Sequence, residues 1–313
     1  MRMKWAFLLI WIATGTVFAE LRLEKSEGGL EVFDGEELIT GYRTDWKVPY
    51  LYPLKSTSGA NVTRHWPIEK GVQGEEHDHP HHRSLWLSHG SVDGYDFWAF
   101  EDGKDARIVH QAFLSQGVDE EGAANFSVKL NWEAGGKTHL TEKRDHKIWK
   151  IGEDTIAVEI ESQLTAGDEE VVFGDTKEGM LGLRVDRTLR MKGPQAKSHI
   201  INSEGVTDGG AWGKRSNWVA AYGPDELGEP AVVALFDHPS NLRHPTWWHA
   251  RDYGLFAANP FGQHDFENNP DKTIGNYTLG GKQTAKFRYL VIIHHGDLSS
   301  AKLSTIWKKF STH

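Results

Sequence analysis

From Phe126 to Trp132 every second residue is apolar: Phe126, Val128, Leu130 and Trp132 alternate with Ser127, Lys129 and Asn131. A period of two sends successive side chains to opposite faces of an extended backbone, so this segment can bury one face only as a strand. Ile156, Val158 and Ile160 repeat the pattern against Ala157, Glu159 and Glu161. Turn residues pair such segments. Gly135-Gly136 folds 126–132 back onto a strand over 138–151, and Asp34-Gly35 joins 30–33 to 37–40, because these residues tolerate the positive φ of tight hairpins. Ala231–Phe236 is apolar on both faces and Phe287–Ile293 nearly so, with Arg288 the exception. Such runs are expected of strands covered on both sides. The one convincing helix places Leu303, Ile306, Trp307 and Phe310 at helical spacing, with Asp297, Ser299 or Ser300 as its N-cap. No repeat, low-complexity tract or linker divides the chain. The prediction is an all-β protein: one large antiparallel β-sandwich over 20–313 with a C-terminal helix.

The first 19 residues read as an address. Arg2 and Lys4 precede an apolar run, Trp5–Ile12, and Val17 and Ala19 stand at the −3 and −1 positions of a small-residue cleavage site. The run is too short for a spanning helix, so it predicts a signal peptide, a periplasmic or secreted protein, and no membrane span after cleavage. There is no cysteine, which excludes disulfides, Cys-ligated zinc, iron–sulfur clusters and a thiol nucleophile. A net charge of −9 without a basic run argues against nucleic acid as partner. Neither G-x-G-x-x-G nor G-x-S-x-G occurs, which removes the Rossmann and serine-hydrolase readings.

The long connections carry the chemistry. His77, His79, His81 and His82 fall within six residues, followed by Arg83, Trp86, Asp96 and Trp98. Imidazoles suit divalent metals and proton transfer near neutrality, and Pro80 argues for a loop rather than a strand. These histidines could equally cap loop carbonyls. His79 and His81 are the metal candidates, for a divalent ion completed by Asp78, Asp93 or Asp96; no cofactor is certain. Asp175 and Glu178 stand in a Gly-flanked turn ahead of Arg184, and burial would raise a carboxyl there. His81, His82, Asp175, Glu178 and His249 are the catalytic candidates. Arg83, Trp86, Asp96, Trp98, Arg184, Lys214, Arg215, Trp247, Arg251 and Asn259 are the substrate-binding candidates. Adjacent Trp247 and Trp248 in a strand would put one ring in the core and the other in a cleft.

Four segments together, HDHPHHRSLWLSHGSVDGYDFW (77–98), GDTKEGMLGLRV (174–185), WGKRSNWVAAYG (212–223) and HPTWWHARDYGLFAANPFG (244–262), resemble the secreted bacterial family labelled methane oxygenase PmoA. The resemblance covers most of the chain after the signal peptide. It implies a protein exported by polysaccharide-degrading bacteria, with a sandwich similar to that of galactose mutarotases. The expectation is an exported carbohydrate-active enzyme that cleaves or isomerises a sugar by His/carboxylate acid–base catalysis, glycosidase or lyase before epimerase. A non-catalytic glycan-binding sandwich is the alternative, and a metal-dependent oxygenase a minor one. The oligomeric state is not legible.

Overall fold

A computed structural model describes residues 21–100, 103 and 105–312; the expected signal peptide lies outside the described residues. In chain order the strands are β1 (Leu21–Ser26), β2 (Gly29–Asp34), β3 (Glu37–Arg43), β4 (Tyr50–Leu54), β5 (Leu85–His89) and β6 (Arg107–Val118). Next come β7 (Ala124–Ala134), β8 (Lys137–Ile151), β9 (Thr155–Ala166), β10 (Val171–Phe173), β11 (Gly179–Arg184) and β12 (His199–Asn202). The last are β13 (Trp218–Pro224), β14 (Pro230–Asp237), β15 (Trp247–Trp248), β16 (Leu255–Asn259), β17 (Tyr277–Leu279) and β18 (Thr284–His295). Two helices, α1 (Gln263–Glu267) and α2 (Leu303–Phe310), complete the fold with a 3₁₀ turn at Asp208–Ala211.

The strands form two eight-stranded antiparallel sheets, ordered β1-β2-β3-β4-β5-β11-β16-β15 and β12-β13-β14-β18-β9-β8-β7-β6, with β10 and β17 as a separate pair. The all-β sandwich expected from the alternation is the observed architecture. Both hairpins form as the turn residues dictate. Gly135 and Gly136, at φ +58° and +80°, join β7 to β8, and Gly35, at φ +61°, joins β2 to β3.

The fully apolar strands owe their second buried face to α2. Ala231, Val233 and Leu235 of β14 belong to the core between the sheets. Val232, Ala234 and Phe236 point the other way and pack with Leu290, Ile292, Leu303 and Phe310. Arg288, the exception in β18, bonds Glu159 at 2.5 Å and sets its guanidinium 5.2 Å from the Phe310 ring centre, so it lies at the rim of the helix contact. The helix N-cap expectation is corrected. Lys302, at φ +48°, occupies that position without a side-chain cap, whereas Asp297 Oδ1 accepts the N–H groups of Ser299 and Ser300 one turn earlier. A separate turn over 297–301 takes the capping residues before the helix begins. The five-residue α1 is too short to show a period in sequence.

Candidate functional site

The central strands of the first sheet build the site. Trp86 of β5 pairs with Gly182 of β11, which pairs with Ala257 of β16, so all three share a face. A Cβ on Gly182 would lie 2.6 Å from Trp86 Cζ2, so the indole lies across a strand that can carry no side chain there. His82 stacks on this indole (ring centres 5.3 Å apart), His79 on His82 (4.8 Å) and Tyr253 on His79 (5.1 Å). Trp98 packs beside Trp86 at 4.8 Å. His79 holds φ +43°, in the left-handed region that non-glycine residues seldom adopt, and the His82 N–H bond to its carbonyl (3.0 Å) fixes that turn.

Two buried arginines hold the His loop from behind. Arg64 Nη1 bonds Asp78 Oδ1 at 2.6 Å, and its Nη2 donates to the carbonyls of His79 and His82. Arg184 Nη2 reaches the same carboxylate at 2.9 Å and its Nη1 lies 3.1 Å from His82 Nδ1. Guanidinium groups only donate, so His82 accepts at Nδ1 and carries its proton on Nε2. Burial, reinforced by the neighbouring cations, keeps His82 neutral and lowers His81 to about 4. Burial works against the Asp78 charge, but the His79 hydrogen bond and the two guanidiniums win and hold it well below the usual carboxylate range. His82 Nε2 and the indole nitrogens of Trp86 and Trp98 are buried without a hydrogen-bond partner among the described residues.

Glu178 closes the site from the loop before β11. Gly90 N–H donates to its carbonyl (2.7 Å), Asp265 Oδ2 accepts the Lys177 N–H (3.0 Å), and His249 Nδ1 donates to the Lys177 carbonyl (3.0 Å). Burial raises the Glu178 carboxyl above its ordinary value; Lys177 and His79 oppose the rise, while Asp265 and Asp96 add to it. Burial, then Arg251, lowers His249 to about 3, and it is neutral. The arrangement therefore offers a carboxyl that burial pushes up and, on neighbouring segments, the imidazoles of His81 and His249 that burial pushes down, groups suited to proton transfer.

Three of the four sequence segments meet here, through the contacts of His82 with Arg184, Arg184 with Tyr253 (4.6 Å) and His249 with Lys177. Arg251 lies 5.5 Å over the same Tyr253. The fourth segment pairs its backbone with Trp248 and brings the Trp212 ring to 6.5 Å from that of His249. Lys214 is exposed, and Arg215 turns away to the carbonyls of Pro245 and Arg243 while covering Trp247 at 4.5 Å. The expectation that one of Trp247 and Trp248 lines a cleft is corrected: both are buried, Trp247 under Arg215 and Trp248 in the core. Trp86 and Trp98 are likewise buried supports beneath the histidines. Arg83 stacks on Trp46 at 3.8 Å.

Three candidate side chains serve the backbone. Asp175, fully buried, accepts from the N–H of His264 and Gly275 and pairs with His264 Nδ1 at 2.7 Å. Asp96 caps the N–H groups of Trp98 and Ala99. Asn259 accepts from Phe261 and Gly262 and donates to Thr176. Around His79 and His81 no third metal donor gathers among the described residues; the three-donor set that does form is His65, Glu75 and Asp186.

Arg64, Tyr253 and Asp265 were not singled out from the sequence. Arg64 stands in a loop without periodicity, and its N–H bond to the Arg184 carbonyl (3.0 Å), beside the Thr63–Val185 bridge, brings it into register with the end of β11.

Among solved structures the chain is similar to the alpha-galactosidase from Lactobacillus brevis, at 11% identity and a TM-score of 0.39, over 88% of this chain and 39% of that one. It is also similar to the 4-alpha-glucanotransferase from Thermococcus litoralis, at 10% identity and a TM-score of 0.27, over 90% of this chain and 38% of that one. The chain thus spans about two-fifths of each. No curated protein matches the sequence significantly. Residues 31–308 match the description "Family of unknown function (DUF6807)", and the chain belongs to that family.

Proposed function

We propose that this chain is an exported carbohydrate-active enzyme in which Glu178 and the His79–His82 loop carry out acid–base chemistry on a glycoside. The observation that carries the reading is the half-buried Glu178 carboxyl, raised by burial and within electrostatic reach of His79, whose ring stacks on His82 in the loop where His81 is lowered to about 4. Protonated Glu178 gives its proton to the departing glycosidic oxygen. Neutral His81 takes a proton from the attacking water, or from a C–H in an elimination, so each turnover moves one proton onto the leaving group and one off the attacking side. Arg64 and Arg184 are both buried and converge on Asp78, where their N–H groups are engaged by its carboxylate and by loop carbonyls. Their buried donors are committed to Asp78 and the loop backbone rather than aimed at a substrate carboxylate, which supports hydrolysis of a neutral sugar before uronate elimination. Burial of Trp86, Trp98 and Trp247 takes these three rings out of reach as flat sugar platforms, which weighs for catalysis over a purely glycan-binding role.

The test is incubation of the purified protein with a panel of neutral and uronate oligosaccharides. New reducing ends are expected from neutral substrates, falling by about 10²–10⁴-fold in Glu178→Gln. Binding without any turnover would favour the glycan-binding alternative. Stoichiometric copper with dioxygen uptake would favour the oxygenase.

A further inference from the structure

We infer that His65, Glu75 and Asp186 form a binding site for a divalent transition cation, placed behind the His loop and independent of the acid–base reading above. One ligand atom from each residue lies within 4.8 Å of the other two. The three come from different stretches of chain that the register of β11 brings together: Thr63 bridges to Val185, and Arg64 N–H bonds the Arg184 carbonyl. A closed shell with metal–ligand bonds of about 2.0–2.2 Å has ligand atoms roughly 3–4 Å apart, so binding needs a contraction of about 1 Å.

The donors are held in place independently of any ion; the His65 ring is engaged by the Tyr52 hydroxyl at Nδ1 (2.9 Å) and by Glu226 at Nε2 (3.2 Å), so an ion must displace one of these two contacts. Glu75 accepts the backbone N–H groups of His65 (3.0 Å) and Trp66 (2.5 Å), and Asp186 Oδ1 accepts both the N–H and the hydroxyl of Thr188 (2.9 Å each). Carboxylate oxygens retain further lone pairs after such bonds, and these outer contacts orient the ligands. The charge balance also calls for a cation. Glu69 (3.4 Å) and Glu226 (3.2 Å) flank the His65 ring, which makes four carboxylates with Glu75 and Asp186. The guanidinium that reaches this set, Arg187, lies 2.8 Å from Asp186 and 3.8 Å from Glu226. One imidazole with two or more carboxylates suits manganese or zinc better than calcium or copper(I). An ion here would clamp the base of the loop: Arg64, next to His65, carries Asp78 and the carbonyls of His79 and His82.

The experiment uses the full untagged chain, stripped with EDTA, dialysed and then loaded separately with Zn²⁺ or Mn²⁺. About one equivalent of one ion should be retained, and the melting temperature should rise by about 3 °C or more on loading. Both effects should be lost in Asp186→Asn and His65→Gln. No retained ion together with a melting temperature indifferent to EDTA would overturn the site, leaving His65 and Arg187 as its own counter-cations. Equal uptake by the wild type and both variants would overturn it as well. If a variant does not fold, ion retention and the EDTA effect on the wild type decide. Turnover enters none of these readouts, so failure here and failure of the glycoside reading are separable.

Discussion

Arg184 Nη1 lies 3.1 Å from His82 Nδ1, and because the guanidinium can only donate, it fixes the tautomer of a histidine 102 positions away. The same side chain ties Asp78 to β11. Tautomer, loop position and sheet register thus share one residue. Arg184→Met should cost about 1.5–3 kcal/mol of stability, the range for hydrogen bonds to charged groups, measured by urea unfolding. In ¹⁵N spectra the wild-type His82 should show a protonated Nε2, and the variant should lose that single-tautomer signature. A wild-type ring protonated at Nδ1 would contradict the geometry.

Activity should follow a bell-shaped dependence on pH. His81 is lowered to about 4, so its neutral base form is present above that value. Burial raises Glu178, so its acid form persists beyond the usual carboxylate range and is lost as pH climbs through the raised value. The kcat/KM profile should therefore be a bell, rising near pH 4 and falling as Glu178 ionises. Glu178→Gln should abolish the falling limb along with most of the rate. A variant keeping both limbs would remove Glu178 from the proposed role.

Gly182→Val should disturb the site through packing alone. The added side chain meets Trp86 Cζ2 at 2.6 Å, and the indole that must move supports His82. Overpacking of this kind costs about 1–3 kcal/mol. Turnover should drop although no titratable group has changed. Unaltered near-ultraviolet circular dichroism and full activity would show that the Trp86–His82 stack is dispensable.

Acid should loosen the His loop first. The folded value of Asp78 is depressed, so its ionised form contributes stability that is complete above the unfolded value of about 3.9 and is lost as pH falls below it. Asp78→Asn should lower stability at neutral pH and flatten the dependence on pH in that acidic window. The check is chemical denaturation at a series of pH values between about 2 and 7. An unchanged slope would mean that other carboxylates govern acid unfolding.

Phe310→Ala should act on the scaffold. Phe310 packs on the outer face of β14 and β18, so its loss should cost about 3 kcal/mol, read by urea unfolding. Substrate affinity at a temperature where the variant is folded should be unchanged. A large change in KM there would connect α2 to the site in a way the fold does not show.

The alternation in 126–132 and 156–160 was sufficient to specify strands, because a two-residue period is a local property of the backbone and needs no partner to be read. Gly135-Gly136 and Asp34-Gly35 were sufficient for their hairpins, since a positive φ is a demand on single residues. The doubly apolar run at 231–236 announced a second covering layer, and the amphipathic 303–310 segment proved to be that layer. The density of histidines at 77–82 singled out that loop as a candidate for the same reason: composition is visible without folding.

What the tertiary structure decided is which groups face which. Asp175 and Glu178 are three residues apart in one turn. Asp175 is consumed by backbone N–H groups of 264 and 275, while Glu178 is left half-buried with a raised carboxyl, and nothing local distinguishes them. Arg64 and Arg184 meet on Asp78 across 120 residues of sequence because β11 lies beside the strands that follow the His loop. The tryptophans went inward for a reason sequence cannot show: Gly182 vacates the space that Trp86 fills, and Arg215 covers Trp247 from a different loop. Strand period and turn chemistry are short-range and were written in the residues themselves. Burial, and with it the raised carboxyl of Glu178 and the lowered imidazoles of His81, His82 and His249, depends on neighbours distant in the chain, and only the packed sheets supply them.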